Sequence, residues 1–213
     1  MHTNSLRSAQ IDLTRRGFDG DYMKAFAETL KGGLRPGVHQ ISLRFNRVSS
    51  EAATHIFSSL VFGHCQLEVL DISQNLVGLN AMGSLNNFLK MSILMELDPS
   101  NQNGVFKGHA CQTLCEGIKH QATLSKLNIS KNAIGTVGTQ SLASLIGTKK
   151  CTLKELGMAW TDLNGFQGSA FFTSLETNKS LKVLDISYNS LGGGVGGEGA
   201  VFSLSKGKRA SRT

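Results

Sequence analysis

The sequence predicts an α/β solenoid: a curved horseshoe arc of about seven strand-helix repeats, with parallel strands on the concave face and helices on the convex face. Three observations predict it. The pattern Leu-x-x-Leu-x-Ile-x-x-Asn-x-Ile recurs along the chain at a spacing near 29 residues. Within each copy, apolar residues lie two apart, the period of a strand. Between copies the spacing changes to three and four, the period of a helix.

Three near-perfect copies set the frame: Leu67, Leu70, Ile72, Asn75 and Val77; Leu124, Leu127, Ile129, Asn132 and Ile134; and Leu181, Leu184, Ile186, Asn189 and Leu191. Val38, Ile41, Leu43, Asn46 and Val48 form a fourth, and Ile11, Leu13 and Phe18 a weaker first copy with Arg16 at the asparagine place. Two more are degenerate. One has Leu94, Leu97, Pro99 and Gln102; the other has Leu153, Leu156, Met158, Thr161 and Leu163. The asparagine positions 16, 46, 75, 102, 132, 161 and 189 step by 30, 29, 27, 30, 29 and 28, so seven repeats use up the chain.

In each copy the alternating apolar residues face one side of a short strand, and the strands stack as a parallel ladder over a core. Asn46, Asn75, Asn132 and Asn189 sit where the chain turns away, as a structural asparagine ladder. An amide there both donates and accepts, satisfying turn groups that would otherwise be buried unpaired. Gln, Thr or Arg in its place is expected to loosen the turn. Amphipathic helices follow: Met23, Phe26 and Leu30; Ala53, Ile56, Phe57 and Leu60; Met82, Leu85, Phe88 and Leu89; Ala110, Cys111, Leu114, Cys115 and Ile118; Val137, Leu142 and Leu145; Phe171, Phe172 and Leu175; and Val201 and Leu204. Helices are wider than strands, which bends the stack into an arc.

The expected domain organisation is one repeat domain over 1–205 and a basic tail over 206–213. At 213 residues, with 24 glycines and two prolines, the chain supports a continuous core with many tight turns. No apolar run reaches the length of a transmembrane segment, and the first twenty residues lack a signal-peptide core, so the chain reads as cytoplasmic. Cys65, Cys111, Cys115 and Cys151 show no paired framework and read as reduced thiols.

The net charge of +7 concentrates in Lys206, Lys208, Arg209 and Arg212, and in Arg7, Arg15 and Arg16. Such clusters suit an anionic partner. No aromatics interleave them, which argues against a nucleic-acid partner and for a solvated tail.

Motifs for catalysis or cofactors are absent. His109, Cys111, Cys115 and His120 offer metal-ligand types, but both cysteines fall on the apolar stripe of a helix, where core packing explains them. Gly192 to Gly199 has a phosphate-loop spacing, yet it lies in register with every other strand-to-helix turn. No Ser, His and Asp stand at catalytic spacing. The expectation is a non-enzymatic protein with no cofactor and no metal.

A binding surface remains. One column of concave positions is Asp12, Ser42, Asp71, Asp98, Asn128, Gly157 and Asp185, which is acidic and small. The column before the asparagines is Arg15, Phe45, Gln74, Asn101, Lys131, Trp160 and Tyr188. Exposed aromatics and arginines make interface anchors, each worth about 2 kcal/mol or more at a hot spot. The predicted partner-binding residues of the concave face are Arg15, Arg44, Phe45, Asp71, Lys131, Trp160 and Tyr188, serving a protein partner. The alternative is that these aromatics pack sideways on the neighbouring column. The stretch after Leu204 is too short and basic to cap the last repeat, so the chain is expected to continue, to be capped by a partner, or to self-associate there.

The 27 to 30 residue unit with a full helix resembles the ribonuclease-inhibitor class of leucine-rich repeats across nearly the whole chain. Within it, Leu67 to Ser130 is similar to the CARMIL family, linkers of capping protein, Arp complex and myosin-I. The residues that carry this are Leu67-x-x-Leu70-Asp71-x-Ser73-x-Asn75, Asn87-Phe88-Leu89, Leu97-Asp98-x-Ser100-Asn101, Cys111-x-x-Leu114-x-x-Gly117 and Leu127-Asn128-x-Ser130. That resemblance implies a cytoskeletal, actin-regulatory scaffold segment. Alternatives on the same fold are a GTPase-activating protein of the leucine-rich repeat type and a structural component of a ciliary or axonemal complex. The expectation is a protein-protein interaction module or scaffold, cytoplasmic and cytoskeleton-associated.

Overall fold

The computed structural model describes residues 9–191 and the backbone of Val201–Ser203. In chain order the elements are β1 (Ala9–Asp12), α1 (Gly20–Leu30), β2 (Val38–Ser42), α2 (Ser50–Phe62), β3 (Val69–Asp71), α3 (Leu79–Met91), β4 (Glu96–Asp98), α4 (Gly108–Ile118), β5 (Lys126–Asn128), α5 (Gly135–Ile146), β6 (Glu155–Gly157), α6 (Gly165–Thr177), β7 (Val183–Asp185) and β8 (Val201–Ser203). The strands form one sheet in sequence order. Pairing is parallel from β1 through β7, with Ile41, Leu70, Leu97, Leu127, Leu156 and Leu184 opposite one another along the ladder. The predicted leucine frame is thus the register of the sheet. Each helix packs on the next from α1 to α6.

One continuous core runs between sheet and helices. It holds the strand residues Leu70, Leu97, Leu127, Leu156 and Leu184; Leu43, Ile72 and Ile129 immediately after their strands; and the helix residues Ile56, Phe57, Leu85, Phe88, Cys111, Leu114, Leu142 and Phe171. At about 25 cal/mol per Å² of apolar area, burying each such side chain fully contributes about 1.5–3 kcal/mol. Three helices start on side-chain caps: Asp19 for α1, Ser49 for α2, and an Asn164–Gln167 capping box for α6.

Three helical expectations shift by one residue. In α1 the inward residues are Met23, Ala27 and Leu30, leaving Phe26 half-buried. In α5 Gly138, Leu142 and Leu145 face the core and Val137 is exposed. A Cβ on Gly138 would stand 3.2 Å from the Cys111 Cβ, so the smallest side chain occupies a close contact between α4 and α5. Phe171 is buried and its neighbour Phe172 is exposed, since successive helical residues point about 100° apart.

The seventh repeat departs from expectation. Val201 was expected on a helix, but Val201–Ser203 is strand β8, antiparallel to β7. Six glycines between Leu191 and Ala200 disfavour a helix start, and β7 would otherwise present a row of unpaired backbone groups. β8 closes that hydrogen-bonding edge. Leu204, the glycine-rich motif from Gly192 to Gly199 and the basic tail lie outside the described residues.

The amides at the turns bond both within their own turn and to the preceding one. Asn75 Oδ1 accepts from Asn46 N and Val48 N, both at 3.0 Å, while its Nδ2 donates to Leu43 O at 3.0 Å and Ile72 O at 2.8 Å. Asn46 and Asn189 bridge adjacent turns in the same way. Gln102 does not loosen its turn: its Oε1 accepts from Val77 N at 2.9 Å and its Nε2 donates to Ile72 O at 2.8 Å. The extra methylene reaches the previous repeat across the shortest step, 27 residues. Thr161 replaces the amide with one hydroxyl, which donates to Met158 O at 2.9 Å in its own turn. Opposite it, Ile134 N bonds to Asn132 O at 2.8 Å, and Gly135 takes φ +55°. That turn alone enters its helix through a right-handed Ile134 rather than an extended residue.

Candidate interaction surface

The concave positions alternate with the core leucines. Asp12, Asp71, Asp98, Asn128 and Asp185 each accept, through Oδ1, the backbone N–H two residues on, from Thr14, Ser73, Ser100, Ser130 and Ser187. These bonds turn the chain out of the strand, so the aspartate column is partly a structural device. At Gly157 no side chain can do this, and Ser130 Oγ of the preceding repeat accepts from Ala159 N at 3.1 Å instead. A Cβ at Gly157 would sit 2.6 Å from Asn128 Oδ1.

The next column carries the main geometric feature. Arg15, Phe45, Gln74, Asn101, Lys131, Trp160 and Tyr188 all have positive φ, between 52° and 60°. Such left-handed backbone costs a non-glycine residue about 1–2 kcal/mol. It is held from both sides: each N–H from Arg15 to Trp160 donates to a carbonyl of the next repeat, and a ladder amide oxygen accepts from the residue that follows at Arg16, Asn46, Gln102 and Thr161. The strain turns seven consecutive side chains away from the core, where Phe45, Trp160 and Tyr188 are each about half exposed.

Neighbours along this ridge interact. Trp160 and Tyr188 stack with ring centroids 4.8 Å apart at 15°. The Arg15 guanidinium lies 5.1 Å above the Phe45 ring. With the Gln74 amide turned so that its oxygen faces the guanidinium, Arg44 Nη2 and Nε donate to that oxygen at 2.7 and 3.1 Å. Sideways packing and exposure therefore coexist: each stacked ring keeps the rest of its surface in solvent.

The predicted residues do not form one cluster. Arg15, Arg44 and Phe45 stand at the first two repeats, Lys131, Trp160 and Tyr188 at the fifth to seventh. Asp71 lines a separate groove of about 490 Å³ over the strand floor, with Glu96, Asp98, Lys126, Glu155 and Asp185. There it accepts from Ser73 N at 2.9 Å and Ser42 Oγ at 3.3 Å. Lys126 bridges Glu96 at 3.0 Å and Glu155 at 3.8 Å across three strands, a link the repeat pattern did not single out. Its signal was present, as one lysine between two glutamates in a single column. Burial pushes the Asp98 carboxyl above its ordinary range, the Ser100 bonds oppose it, and the Asp71 charge adds to the rise.

The residues weighed for metal binding separate in space. Cys111 and Cys115 are buried in the core, His109 and His120 are exposed, and the hydrogen bond with Cys111, together with burial, pushes the Cys115 thiol up. Among the described residues no three His, Cys, Asp or Glu side chains are grouped for a metal ion. The four cysteines are free thiols. No described helix is long and apolar enough to cross a membrane.

A parallel ladder stitched by buried turn amides, with one helix per strand, defines a solenoid of the leucine-rich repeat class. Comparison with known proteins agrees: the family described as Leucine Rich repeat matches residues 120–143 and 177–201. The chain is 25% identical over 185 residues, 86% of its length, to NACHT, LRR and PYD domains-containing protein 5 from Mus musculus, of which this covers 16%. It is 24% identical over 159 residues, 75% of its length, to the ribonuclease inhibitor of Mus musculus, covering 28% of that protein. A shorter stretch of 82 residues, 38% of the chain, is 33% identical to NACHT, LRR and PYD domains-containing protein 3 from Rattus norvegicus, 8% of that protein. The chain thus spans less than a third of these relatives. Its fold is that of a leucine-rich repeat solenoid.

Proposed function

We propose that this protein is a protein-protein interaction module whose partner docks on the left-handed ridge at the concave side, anchored by Trp160, Tyr188 and Lys131 at one end and by Arg15, Arg44 and Phe45 at the other. The Trp160–Tyr188 stack carries the reading: two large aromatics held half exposed on a strained backbone. Rings pre-ordered by stacking lose little conformational freedom on binding, which suits an interface anchor. A relative that is an inhibitor of another protein's activity supports a protein as the ligand. The test is capture of partners from native lysate with the full chain: Trp160→Ala/Tyr188→Ala is expected to lose specific partners with the fold intact. Unchanged capture refutes the ridge.

The module acts by binding rather than by catalysis, within a cytoplasmic assembly. A cytoskeletal, actin-regulatory setting draws its support from the resemblance of Leu67 to Ser130 to the CARMIL repeats. Co-sedimentation with actin filaments tests that setting, and stimulation of GTP hydrolysis by a small GTPase would replace it with the GTPase-activating reading. Docking or self-association at the C-terminal end is checked by the oligomeric state in solution, with β8 closing the strand edge of β7.

A further inference from the structure

We infer that the rim formed by the loops after α4, α5 and α6 is a second docking surface, one that takes an acidic segment of a partner protein. This goes beyond the ridge reading and does not depend on it. The three loops, residues 119–125, 147–154 and 178–182, contain no Asp or Glu. They carry Lys119, Lys149, Lys150, Lys154, Lys179 and Lys182, all exposed, and Lys126 follows at the start of β5. Backbone bonds stack them: Lys154 N donates to Ser125 O and Lys182 N to Lys154 O, both at 2.7 Å. Thr152 Oγ1 on Leu124 O and Asn178 Nδ2 on Ile146 O, again both 2.7 Å, tie the outer parts of the loops together. Like charges of successive repeats are therefore held side by side.

Their compensation inside the chain is small. Of these seven lysines, Lys126 alone makes an ion pair among the described residues. A helix C-terminus offsets about half an elementary charge, which covers only a fraction of the cations that follow α5 and α6. Between those two helix ends a cleft of about 680 Å³ is lined by Lys149, Lys179, Thr148, Thr177, Ser180 and Cys151. Single-sign charge beside a recess focuses potential and draws an opposite charge.

The side chains choose among anions. The loops contain no Arg, the residue suited to bidentate phosphate contacts, and no Phe, Tyr or Trp on which a base would stack. The exposed large apolar residues between 119 and 182 are Val137, Trp160, Phe166 and Phe172, none of them on these loops, so nothing there inserts into a bilayer. Flexible ammonium groups at the edge of this cleft match carboxylates.

The test is fluorescence anisotropy of a labelled oligoglutamate peptide with the full chain, beside a short DNA duplex, a single-stranded RNA and phosphatidylserine vesicles. Lys149→Glu/Lys179→Glu/Lys182→Glu is expected to weaken peptide binding about tenfold or more, since three cations facing the peptide become three anions. Trp160→Ala/Tyr188→Ala leaves that binding unchanged. The milder Lys149→Gln/Lys179→Gln/Lys182→Gln set, with melting curves, decides if charge reversal disturbs the fold. Absent peptide binding, equal binding by the triple variants, or tighter binding of duplex, RNA or vesicles overturns the proposal.

Discussion

Trp160 and Tyr188 occupy the same left-handed position in successive repeats, 28 residues apart, and their rings stack at 4.8 Å. The backbone that exposes them also aligns them. Each ring is held by a turn, and each turn is held by the next repeat through Trp160 N donating to Ser187 O at 3.1 Å and Asn189 Oδ1 accepting from Thr161 N at 2.9 Å.

Trp160 is the single tryptophan, so its emission reports the stack directly. Tyr188→Ala is expected to raise iodide quenching of that emission and to cost about 0.5–1.5 kcal/mol from the lost ring pair. Tyr188→Phe preserves both. Equal quenching in wild type and Tyr188→Ala would show that the rings do not stack in solution.

Backbone strain at the same position predicts an order of stability. Because φ is +56° at Trp160, Trp160→Gly should be no less stable than Trp160→Ala. Trp160→Val should fall below Trp160→Ala by about 1 kcal/mol or more, since a branched Cβ clashes hardest in this region. Denaturant midpoints of the three variants check the ranking.

The ladder predicts unequal costs for two buried positions. Asn75→Ala leaves the buried N–H groups of Asn46 and Val48 unpaired and removes one of the two donors to Leu43 O and to Ile72 O, and should cost about 3 kcal/mol or more. Thr161→Ala removes chiefly one bond, to Met158 O, and should cost about 1 kcal/mol. Urea unfolding distinguishes them, and equal losses would count against a ladder role.

Two glycines should respond in opposite directions to alanine. A Cβ at Gly63 would lie 2.0 Å from Leu30 O, a backbone atom that cannot swing aside, so Gly63→Ala should destabilise by about 1–3 kcal/mol. At Gly83, inside α3, a Cβ meets nothing within 4 Å, and Gly83→Ala should stabilise by about 0.5–1 kcal/mol. Thermal melts of the two variants read the sign.

Asp98 and Asp12 stand in the same column but titrate apart. Burial raises Asp98, whereas the bonds from Thr14 lower the exposed Asp12. With its folded value raised, Asp98 contributes most to stability below the ordinary aspartate range, and that contribution is lost as pH rises through the folded value. Asp12 behaves oppositely, contributing above that range and losing it as pH falls. Carboxyl-carbon NMR titration should place Asp98 above a free aspartate and Asp12 below it.

Fold and site were legible to different depths. The frame of Leu70, Leu127 and Leu184 read directly as sheet register, because every internal repeat meets a copy of itself and local periodicity then states which face is inside. Phe26 and Val137 were misplaced by one residue because a helix's rotation is settled by how closely it packs, which small residues such as Ala27 and Gly138 govern. Gln102 shows the same limit: whether a longer amide can serve depends on its distance to Ile72 O and Val77 N, which residue type leaves open.

Period, register, core face and the exposure of Phe45, Trp160 and Tyr188 were determined by the sequence itself, since each follows from spacing within one repeat. Tertiary structure decided the rest: the left-handed backbone of the ridge, the Trp160–Tyr188 and Arg15–Phe45 pairings, the Asp71–Asp98 neighbourhood, and strand rather than helix at Val201–Ser203. All of these arise between repeats. They depend on which atoms of one turn come within reach of the next, and that distance is set only when the coils stack.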